Sequence, residues 1–283
     1  MLRDGGKPNA ALPAAAAAAF ATPAWSRFGM WESEPTLTRH VCHVSKQNYG
    51  LELKRTIALL DAIHDDGLSR AEREFRTDCL ASLEMPDAMA KHDAKIIKKI
   101  LSSTDTKLLY KTSFSGWLGR KNWLTQTIAT SEFRRREIAA QAMADTVRKA
   151  YGLEPIPVHF MNLPKKTNLI GHYVPRFDGK PAIIINAAGW ANVIDSPQTL
   201  LPVLLEETRH SIDHAAMSAL KNGKLSPDDP NYYHAAMIAM NLQPAAYVRT
   251  GNGGNRSAYE NQYVERTAKA YAADLTQGLL EIR

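Results

Sequence analysis

Five ionisable side chains crowd one short run of this chain, LLPVLLEETRHSIDHAAM: Glu206, Glu207, His210, Asp213 and His214. Carboxylates and imidazoles are the donors of metal centres and the proton carriers of general acid–base catalysis. In a helix, residues four apart emerge one turn apart on one face and can reach one ion together. Two such pairs occur, Glu206 with His210 and His210 with His214. They do not merge into one three-ligand set, because about 12 Å of helix rise separates Glu206 from His214. His210 belongs to both pairs and is the best single ligand candidate. At about 100° per residue, Leu201, Leu204, Leu205, Thr208, Ile212 and Ala215 fall on one side and the five ionisable groups on the other. Such a helix buries its apolar stripe and aims its chemistry at a cleft or at water. A solvated face of paired charges is the plainer alternative.

Other elements must hold that helix in place. Ser196 followed by Pro197 marks its start, with a capping side chain and a proline in the first turn. Three β-prone segments precede it, IPVHFMN, NLIGHYVPRFD and KPAIIIN. Before these, SEFRRREIAAQAMADTVRKAYG predicts a helix that Ser131 caps and Gly152 closes, with Arg134, Arg135 and Arg136 on its surface. Residues from about 50 to 112 read as further helices. The lysines of AKHDAKIIKKI read as a solvated basic face. After the motif come a loop, the helix HAAMIAMNLQ, a glycine-rich stretch and a final long helix from about Ser257.

The run Glu206-Glu207-Thr208-Arg209-His210 resembles the H-E-x-x-H motif of zincin metallopeptidases, with Glu206 at the place of the first histidine. Asp213 stands where several zincin families, the lethal-factor type among them, carry an aspartate. Gluzincin-type members take a third ligand from a later helix in a P-x-E-x-x-A context. Here Tyr263-Val264-Glu265-Arg266-Thr267-Ala268 offers Glu265, with Tyr263 in place of the proline. Tyr259 precedes it much as a catalytic tyrosine does in lethal-factor-like enzymes. Arg209 departs from the small or apolar residue common at its place. The resemblance covers residues 131–283.

The resemblance implies a zinc-dependent peptidase. Glu206, His210 and Glu265 would bind the metal, with His214 as the alternative ligand. Glu207 would be the general base for a water acidified by the ion, and Tyr259 would stabilise the oxyanion. Asp213 would orient His210 or serve as a buried structural acid. The extra carboxylate would admit Mn2+ or Fe2+ beside Zn2+. A protein or peptide substrate would lie along the sheet edge, which the strand AIIIN would supply.

Composition bounds this reading without deciding it. The 283 residues carry a net charge of +6 and two cysteines, Cys42 and Cys79, which form neither a metal motif nor a disulfide framework. No apolar run is long enough to span a bilayer. The alanine-rich start has the outline of a secretory signal and equally the composition of a low-complexity tail, so cytoplasmic and secreted locations both stay open. The expectation is an α+β protein: a tail over 1–45, a helical extension over 46–130, and a zincin-like domain over 131–283. Two other functions remain. One is a catalytically inactive zincin-like module that binds protein. The other is a basic, helical nucleic-acid-associated protein, disfavoured because the charge is not concentrated in one patch.

Overall fold

The computed structural model describes residues 85–115, 130–226, 229–242 and 256–282. The tail over 1–45, the helices expected before residue 85, both cysteines and the glycine-rich stretch over 251–255 lie outside them. In chain order the elements are α1 (Asp87–Ser102), α2 (Thr104–Ser113), α3 (Thr130–Ala150), β1 (Val158–Met161), β2 (Gly171–Phe177), β3 (Lys180–Asn186), α4 (Pro197–Lys221), α5 (Asn231–Asn241), α6 (Arg256–Glu260) and α7 (Tyr263–Leu280). The class is α+β. No described helix is long and apolar enough to cross a membrane. The chain divides into two compact units, residues 1–89 with 219–266 and residues 90–218 with 267–283.

The second unit has one apolar core, to which α1, α2, α3, the sheet, α4 and α7 all contribute. On α1, Asp93, Ile96 and Ile100 form the buried stripe, at helical spacing, while Lys91, Lys95, Lys98 and Lys99 are exposed. Ser103 caps α2 by accepting from the Thr106 N–H. On α3 the inward stripe is Ala139, Ala140, Met143, Ala144 and Val147. Arg134 and Arg135 are exposed, but Arg136 is buried and donates to Glu132 and to the Ile194 carbonyl. The expectation of three surface arginines fails at Arg136 because it lies one turn before Ala139 and Ala140, on the same stripe. Gly152, at φ 71°, ends the helix with its N–H on the Lys149 carbonyl.

The sheet runs β1-β3-β2, with β3 parallel to β1 and antiparallel to β2. The segment AIIIN is therefore the central strand and not the expected sheet edge; among the described residues, β2 and β1 are the edges. Its run of buried side chains from Ala182 to Asn186 is what a strand flanked on both sides carries. Asp178 and Gly179, both at positive φ, make the two-residue hairpin joining β2 to β3. Ser196 caps α4 by accepting from the Thr199 N–H at 3.3 Å, with Pro197 in the first turn.

β2 lies close against α4 at Gly171. A methyl group there would sit 2.4 Å from the Val203 Cγ1 and 3.1 Å from the Glu207 Cγ. Gly171→Ala is expected to force β2 off α4 and lower stability by about 1–3 kcal/mol, the range for overfilling a packed interior. Urea unfolding checks this, and an unchanged midpoint would contradict it.

In the first unit, α5 carries a buried apolar run from Ala235 to Ile238. The buried His234 ring pairs through Nδ1 with the Tyr263 hydroxyl at 2.8 Å. The Asn241 side chain accepts from the Val264 N–H at 2.9 Å and donates to the Gln262 side chain. The final helix does not run unbroken from Ser257. It stops at Glu260 and restarts at Tyr263, where Asn241 satisfies a first-turn donor that a continuous helix would have paired internally.

Candidate metal centre

The candidate donors come from α4 and α7. Glu206 and His210 stand one helical turn apart on α4. Glu265 occupies the opening turn of α7, where the helix N-terminus favours a negative charge. One donor atom from each of Glu206, His210 and Glu265 lies within 4.8 Å of the other two. Donors sharing a tetrahedral zinc at bonds of about 2.0–2.2 Å stand roughly 3.3 Å apart, somewhat closer than this bound. Glu265 is buried and Glu206 half-buried. The turn bearing Glu265 is fastened at Tyr263 by His234 and at Val264 by Asn241.

Glu207 is engaged by the neighbouring strand. Its Oε2 accepts from the backbone N–H of Tyr173 on β2 at 2.6 Å, and the residue is 9% exposed. The same carboxylate stands where a side chain on Gly171 would be, which is why β2 can approach it. Burial pushes the Tyr173 hydroxyl pKa up, with the Arg148 guanidinium pulling the other way. His214 packs its ring on Tyr173, with centroids 4.9 Å apart, and is not one of the three clustered donors. Tyr259 lies half-buried on α6, its carbonyl accepting from the Gln262 backbone and side chain.

Asp213 and Arg209 form a second polar cluster inside the core. Arg209 is fully buried and Asp213 is 0% exposed. The Arg209 Nε donates to the Asp213 Oδ1 at 2.8 Å, and its Nη1 donates to both oxygens of Asp93 on α1 at 2.8 Å. Burial opposes the charge on Arg209, but Asp213 and Asp93 outweigh it and its pKa is raised. The polar side of α4 is therefore not turned wholly toward a cleft or water: Glu207, Arg209 and Asp213 are all inside. Nearby, Arg148 on α3 donates to the Ser211 hydroxyl of α4 at 2.7 Å and to the Glu154 carbonyl.

A groove of about 550 Å³ opens beside Glu206, walled by Pro202 of α4 and by Lys269, Ala272, Ala273, Thr276 and Leu280 of α7.

Sequence reasoning missed Asp93, Asn241 and His234 as supports for this region. Asp93 carries no local signal, since its partner lies 116 positions away. Asn241 had one, standing at the end of an apolar helix, but its acceptor is used on a different helix. No protein-family model, no curated protein and no solved structure matches the chain.

Proposed function

We propose that this chain is a zinc-dependent metallopeptidase of the zincin type, acting on a protein or peptide. The observation that carries the proposal is the convergence of Glu206, His210 and Glu265, drawn from two helices and spanning 59 positions from 206 to 265, on one small volume. Two carboxylates and one imidazole suit Zn2+, and the oxygen-rich set also admits Mn2+ or Fe2+. When bound, such an ion supplies Lewis acidity that acidifies water and polarises a peptide carbonyl.

In this proposal the chain's own groups do the rest. Glu206 and His210 hold the ion from one face of α4, and Glu265 closes the set. Glu207, next in sequence to Glu206, takes a proton from water and returns it to the leaving amine. Tyr259 donates to the developing oxyanion. An extended substrate lies toward β2, the antiparallel edge, and the groove beside Glu206 receives one of its side chains.

Glu207→Gln tests it cleanly. The glutamine carbonyl still accepts from the Tyr173 N–H, so the fold keeps its tie while the base is lost. Hydrolysis of an unstructured protein substrate is expected to fall by about 10²–10⁴-fold, the usual worth of general base catalysis, with bound zinc unchanged. Equal activity in the variant, or no metal retained by the wild type above about pH 7, where an unperturbed histidine is mostly neutral, would sink the proposal. One observation favours the inactive, protein-binding alternative: the Glu207 carboxylate already serves the Tyr173 N–H. Stoichiometric metal with no hydrolysis of any peptide would select that alternative.

A further inference from the structure

Arg209 sits beside His210 in sequence but takes no part in the proposed chemistry. Its side chain leaves α4 about 100° away from that of His210, into the core. There it contacts α1, the residue just past α3, and α7. Its Nη1 reaches Asp93 on α1 at 2.8 Å and the Tyr151 hydroxyl, just past α3, at 3.2 Å. Its guanidinium carbon lies 5.1 Å from the ring centre of Tyr271 on α7. The Tyr151 hydroxyl donates to Asp93 at 2.6 Å, and the Tyr151 and Tyr271 rings meet edge to face. Tyr271 stands about 9 Å further along α7 than Glu265, at 1.5 Å of rise per residue.

We propose that Arg209 is a positioning residue that sets the register of α7 against α4, and thereby brings Glu265 to Glu206 and His210. The proposal rests on the metal-centre reading above. The physical ground is the planar guanidinium, which addresses two carboxylates and an aromatic face at once. A lysine ammonium is a point charge that serves one or two of them. A slip of one residue along α7 displaces Glu265 by about 1.5 Å, a large fraction of the spacing that donors on one ion require.

The test is Arg209→Lys in the full chain, titrated with Co2+ and followed by its d–d absorption, with hydrogen exchange of the metal-free chain measured in parallel. The expected result is a Co2+ dissociation constant raised about 10–100-fold, as for residues that support ligands, and an altered Co2+ spectrum. Exchange of the α7 amides in the metal-free variant is expected to quicken. Arg136→Lys is the matched control. It alters another buried arginine, one bonded to Glu132 and the Ile194 carbonyl, and is expected to leave the Co2+ affinity and spectrum unchanged. Wild-type affinity and spectrum in Arg209→Lys overturn the proposal. If the wild type itself binds no Co2+, the metal reading fails and α7 exchange decides alone: unchanged exchange overturns the register role, and faster exchange in α7 upholds it. Should Arg209→Lys not fold, Tyr271→Leu removes only the ring face and is judged by the same two readouts.

Discussion

Arg209→Met is expected to destabilise the chain by about 3–5 kcal/mol, the cost of removing one partner from a buried ionic cluster. The loss comes less from the missing attraction than from what remains. Asp93 is 6% exposed and Asp213 is 0% exposed, and both would stay inside without their shared cation. Their escape is to take up protons or to open the packing of α1 on α4. Either draws on a folding free energy of only about 5–15 kcal/mol for an ordinary domain. Urea unfolding followed by circular dichroism measures the effect, and a loss under about 1 kcal/mol would show that water already reaches the cluster. Adding Asp93→Asn and Asp213→Asn to Arg209→Met should recover much of the loss, because the orphaned charges go with the cation. That recovery separates a buried-charge penalty from a simple cavity, which the added substitutions would leave unfilled.

His210→Ala is expected to abolish measurable metal binding. Only His210 contributes nitrogen to the cluster. The wild type at a zinc concentration of about 100 times its dissociation constant should gain about 2.7 kcal/mol of stability by mass action, and the variant none. Without metal the two should unfold alike to within about 1 kcal/mol. His214→Ala is the informative companion. His214 packs on Tyr173 and lies outside the clustered donors, so its zinc-dependent gain should equal that of the wild type. Thermal unfolding with and without zinc reads all three. A zinc-dependent gain that survives His210→Ala but vanishes in His214→Ala would move the site one turn further along the helix.

Much of the local structure was legible because its cause is local. Ser196 and Pro197 announce the start of α4, and the segment KPAIIIN coincides with β3. The partners were not legible. A helical wheel puts Glu207, His210 and Asp213 on one side, but it does not say that β2 and α1 cover part of that side. Arg209 looked like a departure from a motif, and its use became visible only with Asp93 beside it. The edge assignment of AIIIN failed although a signal existed: an unbroken apolar run belongs to a strand with neighbours on both sides. The Asp178-Gly179 pair, flanked by strand-forming residues, was likewise a readable hairpin turn. The break before Tyr263 had no such signal, because Asn241, which caps it, comes from α5.

The bond from the Tyr173 N–H to Glu207 has a consequence for the chain's behaviour in concentrated solution. A strand at the border of a sheet offers its backbone donors to any passing strand, and uncovered borders seed aggregation. Here a carboxylate from the neighbouring helix occupies one of those donors and sets a negative charge beside it. An incoming strand must displace that bond before it can pair at Tyr173. Glu207 thus guards β2 against self-association whether or not it moves a proton, and an alanine at 207 would remove that guard where a glutamine would keep its hydrogen bond.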